Sequence, residues 1–164
     1  MFDHRFSWMD DELDMLSDAM PRFVEKEMNP HEAPRPAQGY VDSDFWLAAG
    51  EVGMLCASIP EEYGGFGLSK ASMCVVSEEL SRGWICAGSL GTRSEIAGEL
   101  IGLAGTDAQK AQWLPGIASG TILPTAVFTE PSNGSDLAQL STRAIQHKEG
   151  GWRISGAKTW ITHA

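Results

Sequence analysis

Near Gly120 the hydrophobic pattern of the chain changes its period. Upstream, apolar residues recur at steps of three and four, the spacing that lines one face of an α-helix. Downstream they fall in short β-branched and aromatic runs broken by Gly, Pro, Asn and Asp, the pattern of strands and turns. Such a switch requires two kinds of architecture. Residues 1–120 are expected to form a helical domain, and residues 121–164 the first strands of a second, β domain. The downstream runs are Thr121–Thr129, Ser141–His147, Trp152–Ser155 and Lys158–Thr162, with Glu149-Gly-Gly151 as a hairpin turn and Gly156 as a bend. Short strands without closing partners do not complete a sandwich or barrel. The chain therefore reads as the front part of a larger protein, mainly α with a C-terminal β portion.

The helical part divides at its Gly and Pro residues. Met9, Leu13, Leu16, Met20, Phe23 or Val24, and Met28 predict an amphipathic helix over residues 8–28, kinked or restarted at Pro21. Residues 29–40 are a loop by their Pro and Gly content. A short helix over Asp44–Val52 follows, with Ser43 as its cap, and another over Ser69–Arg82, capped by Ser69 and ended at Gly83. Between them, Pro60-Glu-Glu-Tyr-Gly-Gly-Phe-Gly67 lacks the strand–turn–helix context of a dinucleotide fingerprint and reads as a structural turn. Ile85–Leu103 reads as a helix rich in small residues, which suits tight packing between helices. Thr106 or Asp107 caps a last helix through Trp113 that stops before Pro115, and Gly116–Gly120 is a loop.

Charge excludes some functions. The net charge is −10 and no Lys/Arg run occurs, so a nucleic-acid partner is not expected. No stretch of about 18 apolar residues is present for a membrane span. The cysteines, Cys56, Cys74 and Cys86, are odd in number and form no C-x-x-C pair. That argues against a disulfide framework and for a reducing, cytoplasmic setting. His4, His31, His147 and His163 have no ligand spacing, so no metal site is expected.

The chemistry concentrates after the switch. The apolar run from Ile122 to Phe128 leads into Thr129-Glu-Pro-Ser-Asn-Gly-Ser-Asp136, a polar loop with three hydroxyls that turns at Pro131 and at Asn133-Gly134. Gly134 lets backbone N–H groups come close to a ligand; an Asn-Gly hairpin turn without function has the same composition. Further on, Gly156-Ala-Lys-Thr-Trp-Ile-Thr-His163 sets a Trp between two Thr residues. T-E-P-x-x-G-S-D, then Thr142-Arg-Ala144, then S-G-x-K-x-W-I-T, resembles the acyl-CoA dehydrogenase family. Ile59–Gly67 and Gln109-Lys-x-x-Trp-Leu-Pro115 look like that family's helical-domain landmarks, and the resemblance covers roughly Asp11 to Ala164.

The resemblance implies an α-helical N-terminal domain followed by an incomplete β-barrel or sandwich domain. It implies FAD as cofactor, an acyl-CoA substrate, an electron-transferring flavoprotein as acceptor and a homo-oligomer. Ala126, Phe128 and Thr129 would face the flavin, and Gly134 and Ser135 would lie near FAD and the CoA moiety. Trp160 would lie against the ring, with Ile161 and Thr162 beside it and the Thr162 hydroxyl near N5. The implied reaction is α,β-dehydrogenation of the thioester. No position here matches the family's glutamate base, so this length of chain alone is expected to be inactive and to hold FAD weakly if at all. A non-catalytic acyl-CoA or flavin-binding module, or an oxidase or monooxygenase relative, is the alternative. Glu130 and Asp136 read as structural. Arg93, in Gly91-Thr-Arg-Ser-Glu95, has two readings. Exposure or pairing with Glu95 or Glu99 is the commoner fate of an arginine; recognition of a carboxylate on the acyl tail is the other.

Overall fold

The acidic run Asp10-Asp11-Glu12 starts the first helix. In the computed structural model, which describes residues 6–28, 41–81 and 94–161, α1 runs Asp11–Phe23. The Asp10 carboxylate accepts the Leu13 N–H at 2.9 Å, a cap that stabilises a helix by about 1 kcal/mol. Leu13, Leu16, Met20 and Phe23 form its buried stripe. Pro21 does not break the helix. The winding changes three residues later, where Val24–Met28 make one π turn and the Val24 N–H reaches both Met20 O and Pro21 O. The wider turn keeps Val24 and Met28 in the core.

Helix α2, Ser43–Glu51, buries Phe45, Trp46 and Ala49. Asp42 is its N-cap residue without a side-chain cap bond, so Ser43 is the first helical residue and not the cap. Helix α3, Ala71–Leu80, packs against α1 and starts later than Ser69. The Ser69 carbonyl instead accepts the N–H and hydroxyl of Ser72, making a turn before the helix. The expected 29–40 loop, Gly83 and the first part of the expected Ile85–Leu103 helix lie outside the described residues. Helix α4, Ile96–Ala104, completes that expected helix; its Gly98 lies against Ile59 and Cys56, where a Cβ would stand 3.1 Å from Ile59 Cδ1.

Helix α5, Asp107–Ala118, packs on α4. Thr106 and Gln109 cap it reciprocally: the Gln109 N–H donates to Thr106 Oγ1 and the Thr106 N–H to Gln109 Oε1. The helix runs through Pro115, contrary to the expected stop. Proline removes one backbone bond and crowds the preceding turn. On either side of it, however, Leu114, Ile117 and Ala118 are buried, and the Gly116 carbonyl accepts from Ile122 N–H, Ser119 Oγ and Thr121 Oγ1. Burial and these terminal bonds offset the proline.

Two cores result. One joins α1, its π turn, α2 and α3 around Met20, Met54, Leu55 and Val76. The other joins Cys56, Ile59, Leu114, Ile117 and Ala118. The Pro60–Gly67 stretch opens with a 3₁₀ turn at Glu61–Tyr63 and folds back on residues 57–59, with Gly67 N–H donating to Ile59 O and Leu68 N–H to Ala57 O. A Cβ on Gly65 would stand 2.0 Å from the Ile59 carbonyl oxygen, so only glycine fits there.

The chain separates into two compact units, Met1–Pro124 and Thr125–Ala164. The second holds an antiparallel pair, β1 (Arg143–Gln146) and β2 (Trp152–Ser155), in the register Arg143↔Ser155 to Gln146↔Trp152. The turn closes through His147 N–H to Gly151 O, with Gly150 and Gly151 at φ 95 and 79. The Thr121–Thr129 and Lys158–Thr162 runs, expected as strands, carry no ladder in their described residues. Strand propensity makes the backbone extended, but a strand also needs a partner edge.

Candidate functional site

Glu130 is an acidic residue at the end of an apolar run, and the fold takes it out of water. Its side chain is fully buried. Such a group needs donors, and two other stretches of the second unit supply them. Ser141 donates its N–H at 2.7 Å and its hydroxyl at 2.5 Å, and the Thr142 N–H donates at 2.8 Å. The Lys158 ammonium lies 3.0 Å from Glu130 Oε1 and also donates to the Phe128 carbonyl at 2.8 Å. Beside it, the Thr159 N–H donates to the Thr129 carbonyl at 3.1 Å. Hydrogen bonds from Ser141, then Thr142, hold the Glu130 carboxyl well below the usual carboxylate range, against the opposite effect of burial. Glu130 is thus a fixed anion and an anchor, and it is unsuited to act as a base.

The anchor brings together most of the residues that the motifs single out. Ala126, Phe128 and Thr129 are half-buried on the stretch that enters Glu130. Trp160 and Ile161 follow directly on the bonded residues Lys158 and Thr159. Trp160 is 89% exposed and its φ is 56. That left-handed conformation is an outlier for a bulky side chain, costs on the order of 1–3 kcal/mol, and persists only where the surroundings fix it. The Trp160 ring is exposed, on the residue that follows the bond from Thr159 to Thr129. Thr162 and Arg93 lie outside the described residues.

Gly134 and Ser135 sit apart from this pair of stretches, exposed on the loop after Glu130. The turn is made by Pro131 and Ser132, closed by reciprocal bonds between Glu130 and Asn133, so Gly134 follows the turn instead of forming it. No atom stands within 4 Å of where a Gly134 Cβ would be, which leaves its backbone open to a ligand. Asp136 stiffens the far side: its carboxylate accepts Ala138 N–H and Gln139 Nε2, and its carbonyl accepts Asn133 Nδ2. The sequence reading missed Lys158, Ser141 and Thr142. A lysine inside an apolar, strand-like run was the available signal for the first.

The helical unit has its own buried carboxylate. Glu95 accepts the Ser58 N–H at 3.1 Å and the Ser58 hydroxyl at 2.5 Å, while Lys70 donates to Ser58 Oγ and pairs with Glu99 at 3.0 Å. Burial, and then the Glu95 charge, push the Cys56 thiol up to about 12, which makes it inert. Among the described residues no His, Cys, Asp and Glu side chains cluster as metal ligands.

The lowered Glu130 value sets a pH dependence. A carboxyl whose folded pKa is depressed stabilises the fold fully above its unfolded value, here 4.5, and progressively less as pH falls below it. In urea titrations monitored at the Ser141 and Thr142 amides, the difference in stability between the wild-type chain and Glu130→Gln is expected to be flat from pH 6 to 8 and to shrink below about pH 4.5. A difference that stays constant down to pH 3 refutes the anchor.

Known proteins resemble this chain in sequence and in fold. The family model of the acyl-CoA dehydrogenase N-terminal domain matches residues 10–121, and that of the middle domain matches residues 125–164. The chain is 57% identical over 164 residues to (2S)-methylsuccinyl-CoA dehydrogenase of Cereibacter sphaeroides, an alignment covering 96% of this chain and 29% of that protein. It resembles the crystal structure of an acyl-CoA dehydrogenase from Geobacillus kaustophilus with a TM-score of 0.85 at 33% identity, over 96% of this chain and 41% of that one. An acyl-CoA dehydrogenase complexed with FAD from Bacillus anthracis gives 0.84 at 32% identity, over 98% and 28%. The chain thus spans less than half the length of these relatives. The two matched domain models, in the order of the two compact units, place it in the acyl-CoA dehydrogenase family.

Proposed function

We propose that this chain provides the helical and flavin-facing parts of an FAD-dependent enzyme that dehydrogenates an acyl-CoA thioester between its α and β carbons. The exposed, left-handed Trp160 carries this reading, because it sets an aromatic face one residue past the bond from Thr159 N–H to the carbonyl of Thr129, a residue that bears a hydroxyl. These are the features that an isoalloxazine ring requires: a surface to dock on and donors for its heteroatoms. Bound FAD would supply the acceptor for the hydride that leaves the β carbon as the α proton is lost. Thr129 and Thr162 would donate hydroxyls to the ring, and Ala126 and Phe128 would line it with backbone. Ile161 supports the Trp160 side, and Gly134 with Ser135 would meet the phosphates and the CoA arm. Glu130 is excluded as the base by its four donors. In this reading the α proton goes to a carboxylate outside the matched span.

Titrating the 164-residue chain with FAD, followed by flavin absorbance, is expected to show weak, reversible binding. Trp160→Ala should weaken it about tenfold, the scale of a lost aromatic contact. Equal affinity in the two chains would sink the assignment of Trp160.

For the substrate we propose a thioester with a carboxylate on its acyl tail. The support is Arg93, a cation among small residues, together with the 57% identity to a relative named for methylsuccinyl-CoA. In the full-length enzyme, Arg93→Ala should lower kcat/KM for methylsuccinyl-CoA by about 10- to 100-fold, the value of a charge-assisted pair, and change it little for butyryl-CoA. An equal loss on both substrates would remove Arg93 from tail recognition.

The acceptor in this reading is an electron-transferring flavoprotein, and cytoplasmic action as a homo-oligomer belongs to it as well. An open cavity of about 550 Å³ on the helical unit is lined by the apolar Met15, Leu16, Phe66 and Leu68 and by Glu12 and Glu61. It suits an apolar side chain flanked by cations on such a partner. Met15→Asp should slow reduction of the acceptor about tenfold, since charging an apolar contact costs more than 1.4 kcal/mol, with FAD affinity unchanged. Unaltered transfer rates would place docking elsewhere.

A further inference from the structure

We propose that the buried Glu130–Lys158 pair is a positioning device that sets the backbone of Trp160 and so fixes the direction of its ring. The inference rests on the reading of Trp160 as a flavin wall. The observations concern this chain's own residues. Lys158 is bonded at its tip to both the Phe128 carbonyl and Glu130, and Thr159 is bonded through its N–H to Thr129. Trp160 is the next residue, and it alone among the described non-glycine residues has a positive φ. A left-handed tryptophan that is 89% exposed gains nothing from packing of its own ring. Its conformation is imposed from the residues before it.

The pair also has an uncommon economy of connection. Glu130 is held independently by Ser141 and Thr142, so it remains in place if Lys158 is removed. Lys158, by contrast, has its two acceptors on the 128–130 stretch and ties the 158–160 stretch to them. Its side chain is 20% exposed and that of Glu130 is 0% exposed, so the pair is sheltered from salt and water. Gly156 keeps the approach close: a Cβ there would stand 2.2 Å from Thr142 Oγ1 and 2.8 Å from Thr142 Cα. One anion thus sets the height of the turn, and one cation transmits that position to the aromatic ring. Glu130 and Lys158 are positioning residues, since neither is placed against substrate or cofactor.

The test uses the 164-residue chain labelled with 5-fluorotryptophan. It has six tryptophans, and the Trp160 signal in the fluorine spectrum is the one missing from Trp160→Phe. Lys158→Met keeps the stem and removes the cation; Glu130→Gln keeps the shape and removes the anion. Both are expected to move or split the Trp160 signal while the other signals hold, with the far-ultraviolet circular dichroism unchanged. A Trp160 signal unmoved in both variants overturns the proposal. So does a Trp160 change that occurs only together with all the other signals, because the pair would then be a general element of the fold. FAD affinity is read separately in the full-length enzyme, with about a tenfold loss expected in Lys158→Met. If FAD does not bind the full-length wild-type enzyme, the flavin reading fails and the fluorine spectrum still decides the positioning role. If FAD binds and neither the Trp160 signal nor the affinity responds, the positioning role fails and the flavin reading stands.

Discussion

A carboxylate removed from water is tolerated only where donors replace its hydration. In the second unit that requirement organises the chain. The stretch that ends in Glu130, the start of the hairpin at Ser141 and Thr142, and the run through Lys158 are far apart in sequence. The first contributes the carboxylate, and the other two contribute its donors. Among the described residues the unit has one two-stranded ladder, and a hairpin of that size is marginal by itself in water. The polar anchor supplies the cross-links that a sheet of two short strands lacks.

The helical unit applies the same principle at a smaller scale. Glu95 is buried next to α4 and takes both donors of Ser58, so the 55–59 run is pinned to the start of that helix. Around this pin the packing is apolar: Ile59, Leu114 and Ile117 on one side, and Met54 and Leu55 toward α1 and α2 on the other. Exposed residues on α4, Ile96, Leu100 and Leu103, show that this helix has apolar surface beyond what the described residues cover. Such a stripe fits packing against more protein.

Much of this was legible in the sequence, for identifiable reasons. The period of the apolar residues located the helices, because helix formation is local. The motifs located the loop and the Trp160 run, because their residue types are specific. Other features depend on partners distant in sequence. Whether Thr121–Thr129 becomes a strand depends on a neighbouring edge, and none of its described residues has one in a ladder. Pro115 was read as a stop, but burial of Leu114 and Ile117 on either side of it overrides that signal. Ser43 and Ser69 have the right chemistry for caps and each stands one position from the N-cap residue, Asp42 or Lys70. The burial of Glu130 was the least visible, since glutamate is ordinarily a surface residue, and the left-handed backbone of Trp160 is written in no propensity.

The hairpin has a consequence of its own. Among the described residues each of its strands has one ladder neighbour and leaves its other edge uncovered, and Ile145, Trp152 and Ile154 are 62%, 67% and 72% exposed. A free edge with apolar side chains accepts another strand through its main chain, whatever that strand's sequence. In solution the nearest candidates are other copies of the same segment. The behaviour of the isolated polypeptide is then a matter of colloid chemistry, with dilution and the repulsion of its net charge of −10 set against edge-to-edge growth. Acidification toward its isoelectric point near 4.7 removes that repulsion and favours the growth.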